Sequence, residues 1–533
     1  MKNKQKNSLK KISPLSDINV NSVRLDSAFE MYERGQFKQA EVIYKKILRS
    51  QPQNFDALQM LATITLQRNN PTLAIKLFDR AIAVKSDCIE VFYNRGHALL
   101  SLGRNEDALE SYNQALFIKP DYVEALNNRS VALFNLGRNK EAVESYNQAL
   151  VINPQNSKAY YNRGISLHKL NRNAEALESY NQALAIKPDY PEALYNRGMI
   201  LADLKNHKEV LESYHQALLI KPDYAEAHWN EGLCRLLLGD FELGWQKYEW
   251  RWKNEFFVPE LRNFKKPLWL GKENIEGKTI LLHSEQGLGD TIQFCRYVKK
   301  VQALGAKVIL EVQAPLKTLL QNLEGVSIIL SRGESLPNFD YHCPLLSLPL
   351  VFKTNINNIE GVKYLKYDSV KLEAWKSKLN PTQKLKVGIV WNGNPAHQND
   401  FNRSIPLEKL KVLTNPEAQF YCLQKELKTT EVPFLEQMNI TFFGNELTDF
   451  SDTAALITLM DIIITVDTSV AHLAGALGKK VWILLPFNSD WRWLLDRNDT
   501  PWYESAKLFR QNAPQDWSSV ITVINKELGE LHE

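Results

Sequence analysis

The first half of the chain repeats itself every 34 residues, and a unit copied in tandem at that length folds by stacking on its neighbours rather than around one central core. Small residues recur at Ala40, Ala74, Ala108, Ala142 and Ala176, and Val210 continues the row. A second row runs Ala81, Ala115, Ala149, Ala183 and Ala217, and between the rows an aromatic recurs at Tyr44, Phe78, Tyr112, Tyr146, Tyr180 and Tyr214. Pro52, Pro120, Pro154, Pro188 and Pro222 close successive units, with Ser86 in the proline's place once. In the unit VEALNNRSVALFNLGRNKEAVESYNQALVINP an apolar helical period runs to Leu136, breaks at Gly137 and resumes from Ala142 to Ile152. Each unit is therefore a helix, a turn and a helix. The small rows let paired helices approach, the aromatic fills the gap between them and the proline ends the second helix. Six full units start at Asn21, Phe55, Ile89, Val123, Ser157 and Pro191, and a seventh from Ala225 loses the pattern at Gly244. The expected architecture is an α solenoid over residues 21–252, preceded by a disordered tail over residues 1–20.

Composition narrows what such a chain can do. Lys plus Arg exceeds Asp plus Glu by 65 − 61 = 4 in 533 residues, which excludes a general basic nucleic-acid binder. The hydrophobic and charged fractions, 44% and 24%, are those of a soluble globular protein. Cys88, Cys234, Cys295, Cys343 and Cys422 are scattered and form no CxxC pair, so neither a disulfide framework nor a zinc knuckle is indicated and a reducing cytoplasm is the expected compartment. The basic start MKNKQKNSLKKIS leads into no apolar segment, and no later apolar run approaches the roughly 20 residues that span a bilayer.

The spacing and residue order of the units resemble the tetratricopeptide repeat, which implies a protein or peptide partner on the concave face. Asn94, Asn128, Asn162, Asn196 and Asn230 hold one position in consecutive units, followed by Arg95, Arg129, Arg163 and Arg197. An amide both donates and accepts, so such a row can pair with an extended peptide backbone, or it can bond a neighbouring helix. The row resembles the asparagine ladder of O-linked N-acetylglucosamine transferases.

From about Lys253 the period vanishes and short β-branched runs alternate with helical stretches, the pattern of parallel sheets built from βαβ units. KTILLHS, KVILEVQ, VSIIL and FDYHCPL are strands of a first Rossmann-like half, residues 253–380. KVGIVWN, QFYCLQ, NITFF, DIIITV and KKVWILLP are strands of a second, residues 381–533. Two such halves imply a cleft, with ligands at the carboxyl ends of the strands.

Four cleft loops carry chemistry. In HSEQGLGDTIQFCRYV, Gly287 and Gly289 allow close backbone approach, and Asp290 either caps a helix or takes a proton from an acceptor hydroxyl. The loop has neither a dinucleotide fingerprint nor a Walker A lysine. In ITVDTSVAHLAGALGKK a strand meets a helix at Asp467, Thr468 and Ser469, where free N–H groups favour a diphosphate, and His472 lies one turn on, facing the cleft or packed in the core. The loop WNGNPAHQNDFNRSIPL, which contains Asn392 and Gly393, presents Arg403 and Ser404 before a helix opened by Pro406, a fork and a hydroxyl suited to phosphate oxygens. Lys425 and Glu426 end the next strand, where a carboxylate can hold ribose hydroxyls.

The GLGD turn and the VDTSVAHLAGALGKKV segment resemble the heptosyltransferase-type glycosyltransferases of the two-domain GT-B fold. The resemblance implies a metal-independent hexosyl- or heptosyltransferase that uses a nucleoside diphosphate sugar as co-substrate and no other cofactor. It further implies Asp290 as base, Asp467, Thr468 and His472 as donor-binding residues, and Arg403 with Ser404 where that family commonly uses a lysine. The plan of repeats followed by a GT-B half is similar to O-linked N-acetylglucosamine transferase, whose own catalytic motifs are not found here. Two alternatives stay open: a catalytically inactive scaffold and a nucleotide-sugar epimerase.

Overall fold

A computed structural model describes residues 14–255, 257, 261–379, 381–396, 399–413 and 416–531. The chain divides into two compact units, Met1–Leu204 and Lys205–Glu533.

The first unit is helical throughout its described residues. Its helices are α1 (Pro14–Glu33), α2 (Phe37–Ser50), α3 (Phe55–Gln67), α4 (Pro71–Val84), α5 (Ile89–Ser101) and α6 (Asn105–Ile118), then α7 (Val123–Asn135), α8 (Asn139–Ile152), α9 (Ser157–Lys169), α10 (Asn173–Ile186) and α11 (Pro191–Asp203). The small rows do what their size dictates: Ala40, Ala74, Ala108, Ala142 and Ala176 are fully buried, with Tyr112, Tyr146 and Tyr180 packed beside them. The turns inside the repeats need a left-handed residue, supplied by Gly103 and Gly137 at φ 71° and 73° and by Asn69 and Asn171 at 60° and 57°. Of the tail expected over residues 1–20, the first thirteen lie outside the described residues. Residues 14–20 belong instead to α1, whose opening proline has the fixed φ that suits a first helical turn.

The second compact unit starts inside the sixth repeat and so holds the last repeat helices as well as the α/β part that follows residue 253. Its first helices are α12 (His207–Ile220), α13 (Ala225–Leu237) and α14 (Phe241–Tyr248), of which α13 and α14 share a core with the sheets. Leu236, Phe241, Trp245 and Tyr248 join one apolar cluster with Leu282, Phe294, Trp491 and Trp502. The Trp245 indole lies edge-on to Trp491 at 5.2 Å and donates to the Thr354 carbonyl at 2.9 Å. The aromatic run WQKYEWRW is thus buried against the α/β part of the chain.

Two parallel sheets make up the remainder. The first holds β1 (Thr279–His283), β2 (Lys307–Val312), β3 (Val326–Ser331) and β4 (Tyr341–Pro344) in the order β3-β2-β1-β4. The second holds β5 (Leu385–Val390), β6 (Ala418–Cys422), β7 (Ile440–Phe442), β8 (Ile462–Val466), β9 (Val481–Leu485) and β10 (Ala506–Arg510) in the order β10-β9-β8-β5-β6-β7. Strand order reverses at β1 and at β5, and the crevices at the carboxyl ends beside such switch points are where doubly wound sheets bind ligands. β10 escapes the sequence pattern because this edge strand, AKLFR, carries charges at two of its five positions. The segment after Pro406 is a short 3-10 helix, Leu407–Val412, in place of the expected α-helix.

Because α13 and α14 complete the core of the second unit, a fragment of residues 205–533 is expected to melt as a cooperative unit. A fragment of residues 253–533 should lose at least the roughly 3–5 kcal/mol carried by a single buried tryptophan such as Trp245, and become aggregation-prone. Thermal denaturation of the two fragments, followed by circular dichroism, checks this.

Candidate functional site

The loop after β1 is set by a buried ion pair. Arg251, in the 3-10 turn after α14, is fully buried and grips Glu285 with two bonds, Nε to Oε2 at 2.9 Å and Nη2 to Oε1 at 2.8 Å. Its remaining donors reach Glu249, at 2.6 Å, and Ser347, at 2.8 Å. Glu285 also accepts from the Leu346 amide at 3.2 Å, which fixes the chain at the start of the GLGD turn.

That turn enters the helix Leu288–Phe294. A Cβ at Gly289 would lie 2.8 Å from His472 Cδ2 and 3.5 Å from Ser469 Cα, so only glycine lets the turn seat on the helix Ser469–Ala476 of the second half. Asp290 accepts from the Gly287 amide at 2.8 Å and also pairs with Arg492 across the cleft. The capping reading of this residue therefore holds, and its carboxylate stands where the two halves meet. Burial raises its pKa, and the Arg492 charge opposes the rise.

In the second half the loops after β5, β8 and β9 meet. Thr468 precedes the helix Ser469–Ala476, makes no side-chain capping bond and lies 3.2 Å from the Thr465 hydroxyl. Thr468 and Ser469 are partly exposed, with the first-turn amides beside them. The Asp467 carboxyl is pushed up to about 6, by burial first and then by the neighbouring Asp490 charge. Arg403 is not held free for a phosphate: its guanidinium lies over Gly393 and donates to Asp400 and to the Asp467 carbonyl, both at 3.3 Å. Ser404 is likewise engaged, accepting from the Gly393 amide at 3.0 Å and donating to Asp400 at 2.8 Å. Asn392 donates to Glu431 at 2.5 Å.

His472 is packed where the two halves meet and not open to a ligand. It is 5% exposed, bonds the Tyr503 hydroxyl through Nδ1 at 2.9 Å and stacks on Trp493 at 5.4 Å, and burial holds its pKa well below the usual value. The packing alternative is the one seen. Lys425 and Glu426 are exposed, and the Glu426 carbonyl accepts from Gln424 Nε2 at 3.5 Å; Gln424 turns inward and accepts from the Trp391 and Asn392 amides at 2.8 and 3.0 Å.

Sequence reasoning missed two arginines that join the two halves: Arg296 of the first, which donates to the Trp502 carbonyl at 3.1 Å, and Arg492 of the second. Arg492 follows β9 in a short 3-10 turn; it pairs with Asp290, donates to Gln293 at 2.8 Å and bonds Asp490 at 2.8 Å. Its signal was a charged FNSDWRW loop at the carboxyl end of an apolar strand, next but one to the switch strand. A cavity of about 630 Å³ opens beyond β5 and β6, lined by Asn392, Asp400, Ser404, Lys428, Glu431 and Phe401 among others. Among the described residues no group of three or more His, Cys, Asp or Glu side chains is placed to hold a metal ion.

In the first unit the asparagine row ties repeats together. Asn128 and Asn196 donate to Tyr93 and Tyr161 of the preceding repeats at 3.2 Å each, and Asn162 bonds Tyr146. Asn94 is half-buried at the same position, as is Asn230 in the second unit. The arginines beside them reach the buried serines sixteen residues on: Arg95 to Ser111 at 2.6 Å, Arg129 to Ser145 at 2.9 Å and Arg163 to Ser179 at 3.1 Å. The bonds to tyrosine take up amide donors of Asn128 and Asn196.

Family models described as tetratricopeptide repeat match residues 93–157, 145–178 and 191–224, and one described as TPR repeat matches residues 165–205. A model described as anaphase-promoting complex, cyclosome, subunit 3 matches residues 33–115. The helical repeats are tetratricopeptide repeats. Protein FlbA of Caulobacter vibrioides is 27% identical over 308 residues, which are 51% of this chain and 50% of FlbA. The chain thus spans about half the length of that curated relative. Among solved structures, PilF of Pseudomonas aeruginosa is 19% identical with a TM-score of 0.35, covering 40% of this chain and 96% of that one. YrrB, a TPR protein with an unusual peptide-binding site, is 21% identical with a TM-score of 0.32, covering 34% and 95%.

Tetratricopeptide repeats bind proteins and peptides, so the first half of this chain is a protein-interaction array. No helix among the described residues is long and apolar enough to cross a membrane.

The cleft carboxyl Asp467 has a pH signature. Its pKa is raised from 3.8 to about 6 on folding, so the stability it contributes is fully present below pH 3.8 and is lost as pH rises through 6. Asp467→Asn, which cannot ionise, should match the wild type near pH 4 and exceed it by up to about 3 kcal/mol above pH 6. Melting curves of both proteins across pH 4 to 8 read this difference directly.

Proposed function

We propose that the second unit is a glycosyltransferase of the GT-B type, which moves a sugar from a nucleoside diphosphate donor to a hydroxyl on a protein held by the tetratricopeptide repeats. The observation that carries the reading is the meeting of Asp290, at the switch point of one parallel sheet, with Asp467, Thr468 and Arg403 at that of the other. One half offers a base and the other a diphosphate seat. The sequence resemblance of the GLGD and VDTSVAHLAGALGKKV segments to heptosyltransferases points the same way.

In this mechanism Asp290 takes the proton of the acceptor hydroxyl as its oxygen bonds to the anomeric carbon. The bond from that carbon to the diphosphate breaks, and the electron pair leaves on the diphosphate oxygen. First-turn amides at Ser469 and the hydroxyls of Thr468 and Ser469 stabilise the departing charge, and no metal is assigned a role. Arg403 reaches the diphosphate after exchanging its bond to the Asp467 carbonyl for one to a phosphate oxygen. The cavity at Phe401 and Glu431 lies beside this path, at the carboxyl ends of β5 and β6.

Thermal shift of the full chain with UDP, GDP, ADP, CDP and dTDP tests the donor site. A ligand at a hundred times its dissociation constant stabilises the unit it binds by about 2.7 kcal/mol. One diphosphate should raise the melting temperature of the wild type and not that of an Asp467→Ala, Arg403→Ala double variant. If no diphosphate acts at millimolar concentration, the donor reading fails and the repeats are left as a scaffold.

A further inference from the structure

Arg492 is the sole side chain among the described residues whose bonds join the candidate base to the opposite half of the cleft. It belongs to the second half, in the turn Trp491–Trp493, yet two of its three hydrogen-bond partners, Asp290 and Gln293, belong to the helix Leu288–Phe294 of the first. The third, Asp490, is its near neighbour at 2.8 Å and holds the guanidinium from behind. Its plane rests on the Trp491 ring at 4.4 Å, and the side chain is only 10% exposed. The backbone around it is itself held in an unusual state: Leu494, two residues on and buried, sits at φ 54°, where side-chain-bearing residues are rare. Such strain persists where surrounding contacts over-determine a segment, and it gathers at switch regions.

Asp290 is engaged on both oxygens, one by the Gly287 amide and one by Arg492. The amide belongs to its own turn and stays wherever the first half goes. The guanidinium comes only with closure. We propose that Arg492 is a positioning residue and closure clamp: it orients the Asp290 carboxylate and ties the helix Leu288–Phe294 to the second half while the two α/β halves are closed on each other. An open cleft would free Asp290 from Arg492, so that the carboxylate is held in one orientation only in the closed form. The charged groups that face Asp290 are few. Arg492 and Asp490 lie on the second half, while Glu285 on its own loop and Tyr248 on α14 lie behind it. Removing the guanidinium leaves the two other carboxylates, and each of them disfavours ionisation of Asp290.

The clamp is independent of the reaction; the naming of Asp290 as the base rests on the transferase reading, and the test separates the two. Full-length wild type, R492K, R492Q and D290N are compared first by hydrogen exchange. R492Q and D290N are each expected to speed exchange in both Leu288–Phe294 and Ser469–Ala476 by about tenfold or more, with the helix Trp517–Glu530 unchanged. R492K should speed it less. Exchange unaltered in R492Q overturns the clamp, whatever the protein catalyses. The second measurement is the pH dependence of nucleoside diphosphate release from UDP-, GDP-, ADP- and dTDP-hexoses. The acid limb of R492Q should move up by about one pH unit, and R492K should restore it, because the charge is kept and only the fork is lost. A slower enzyme with an unmoved limb overturns the positioning role. Absence of release by the wild type sinks the transferase reading, and the exchange result alone then decides the clamp.

Discussion

A guanidinium with no exposed surface must be paired, and the pairing of Arg251 fixes much of the architecture on its carboxyl-terminal side. Taking two charges out of water is costly unless their geometry and remaining hydrogen bonds are satisfied, and removing one partner of such a pair costs about 3–5 kcal/mol. Arg251 meets the condition with two bonds to Glu285 and further bonds to Glu249 and Ser347. Because Glu285 lies at the foot of the GLGD turn, the same pair that anchors the last repeat helices to the first sheet also sets where Asp290 stands. The repeats of the second unit are thus part of what shapes the cleft, and the apolar cluster from Trp245 to Trp491 adds buried contact to the attachment.

From this anchor the cleft assembles by close approach. Gly289 brings the first-half turn against His472 and Ser469, and the indole of Trp493 covers the other face of the His472 ring. Charge then collects where the loops meet: Asp290, Asp467 and Asp490 surround Arg492, with Arg403 nearby. Three carboxylates sharing so few cations in a buried place explain why burial and like charge together push the Asp467 carboxyl up to about 6. That meeting of charged loops is the physical basis of the functional proposal.

Much of the fold was legible because two periods differ sharply. The 34-residue rows predicted the helix starts at Phe55, Ile89, Val123, Ser157, Pro191 and Ala225 to the residue, and β-branched runs located nine of the ten strands. The tenth, β10, is an edge strand with charges inside it, so no apolar run marked it. The loss of period at residue 253 marks the end of the repeats, and the compact unit that begins at Lys205 holds the last of them, since shared burial and not periodicity sets its extent. In the site, Asp290 and Asp467 were legible as carboxylates at strand-to-helix junctions. Arg492 was not, because its importance comes from a partner two hundred residues away in sequence. His472, Arg403 and Ser404 were found in place but with their polar atoms engaged by protein groups, which only tertiary contacts reveal.

The central claim, that Asp290 faces a sugar-nucleotide site as its base, is tested most directly by turnover. Mass spectrometry would follow nucleoside diphosphate release and sugar gain on a protein captured by the repeats, for wild type and Asp290→Asn at equal diphosphate occupancy. The account predicts turnover by the wild type and a loss of about a hundredfold or more in the variant, with diphosphate affinity retained. Equal turnover by the two proteins would contradict it.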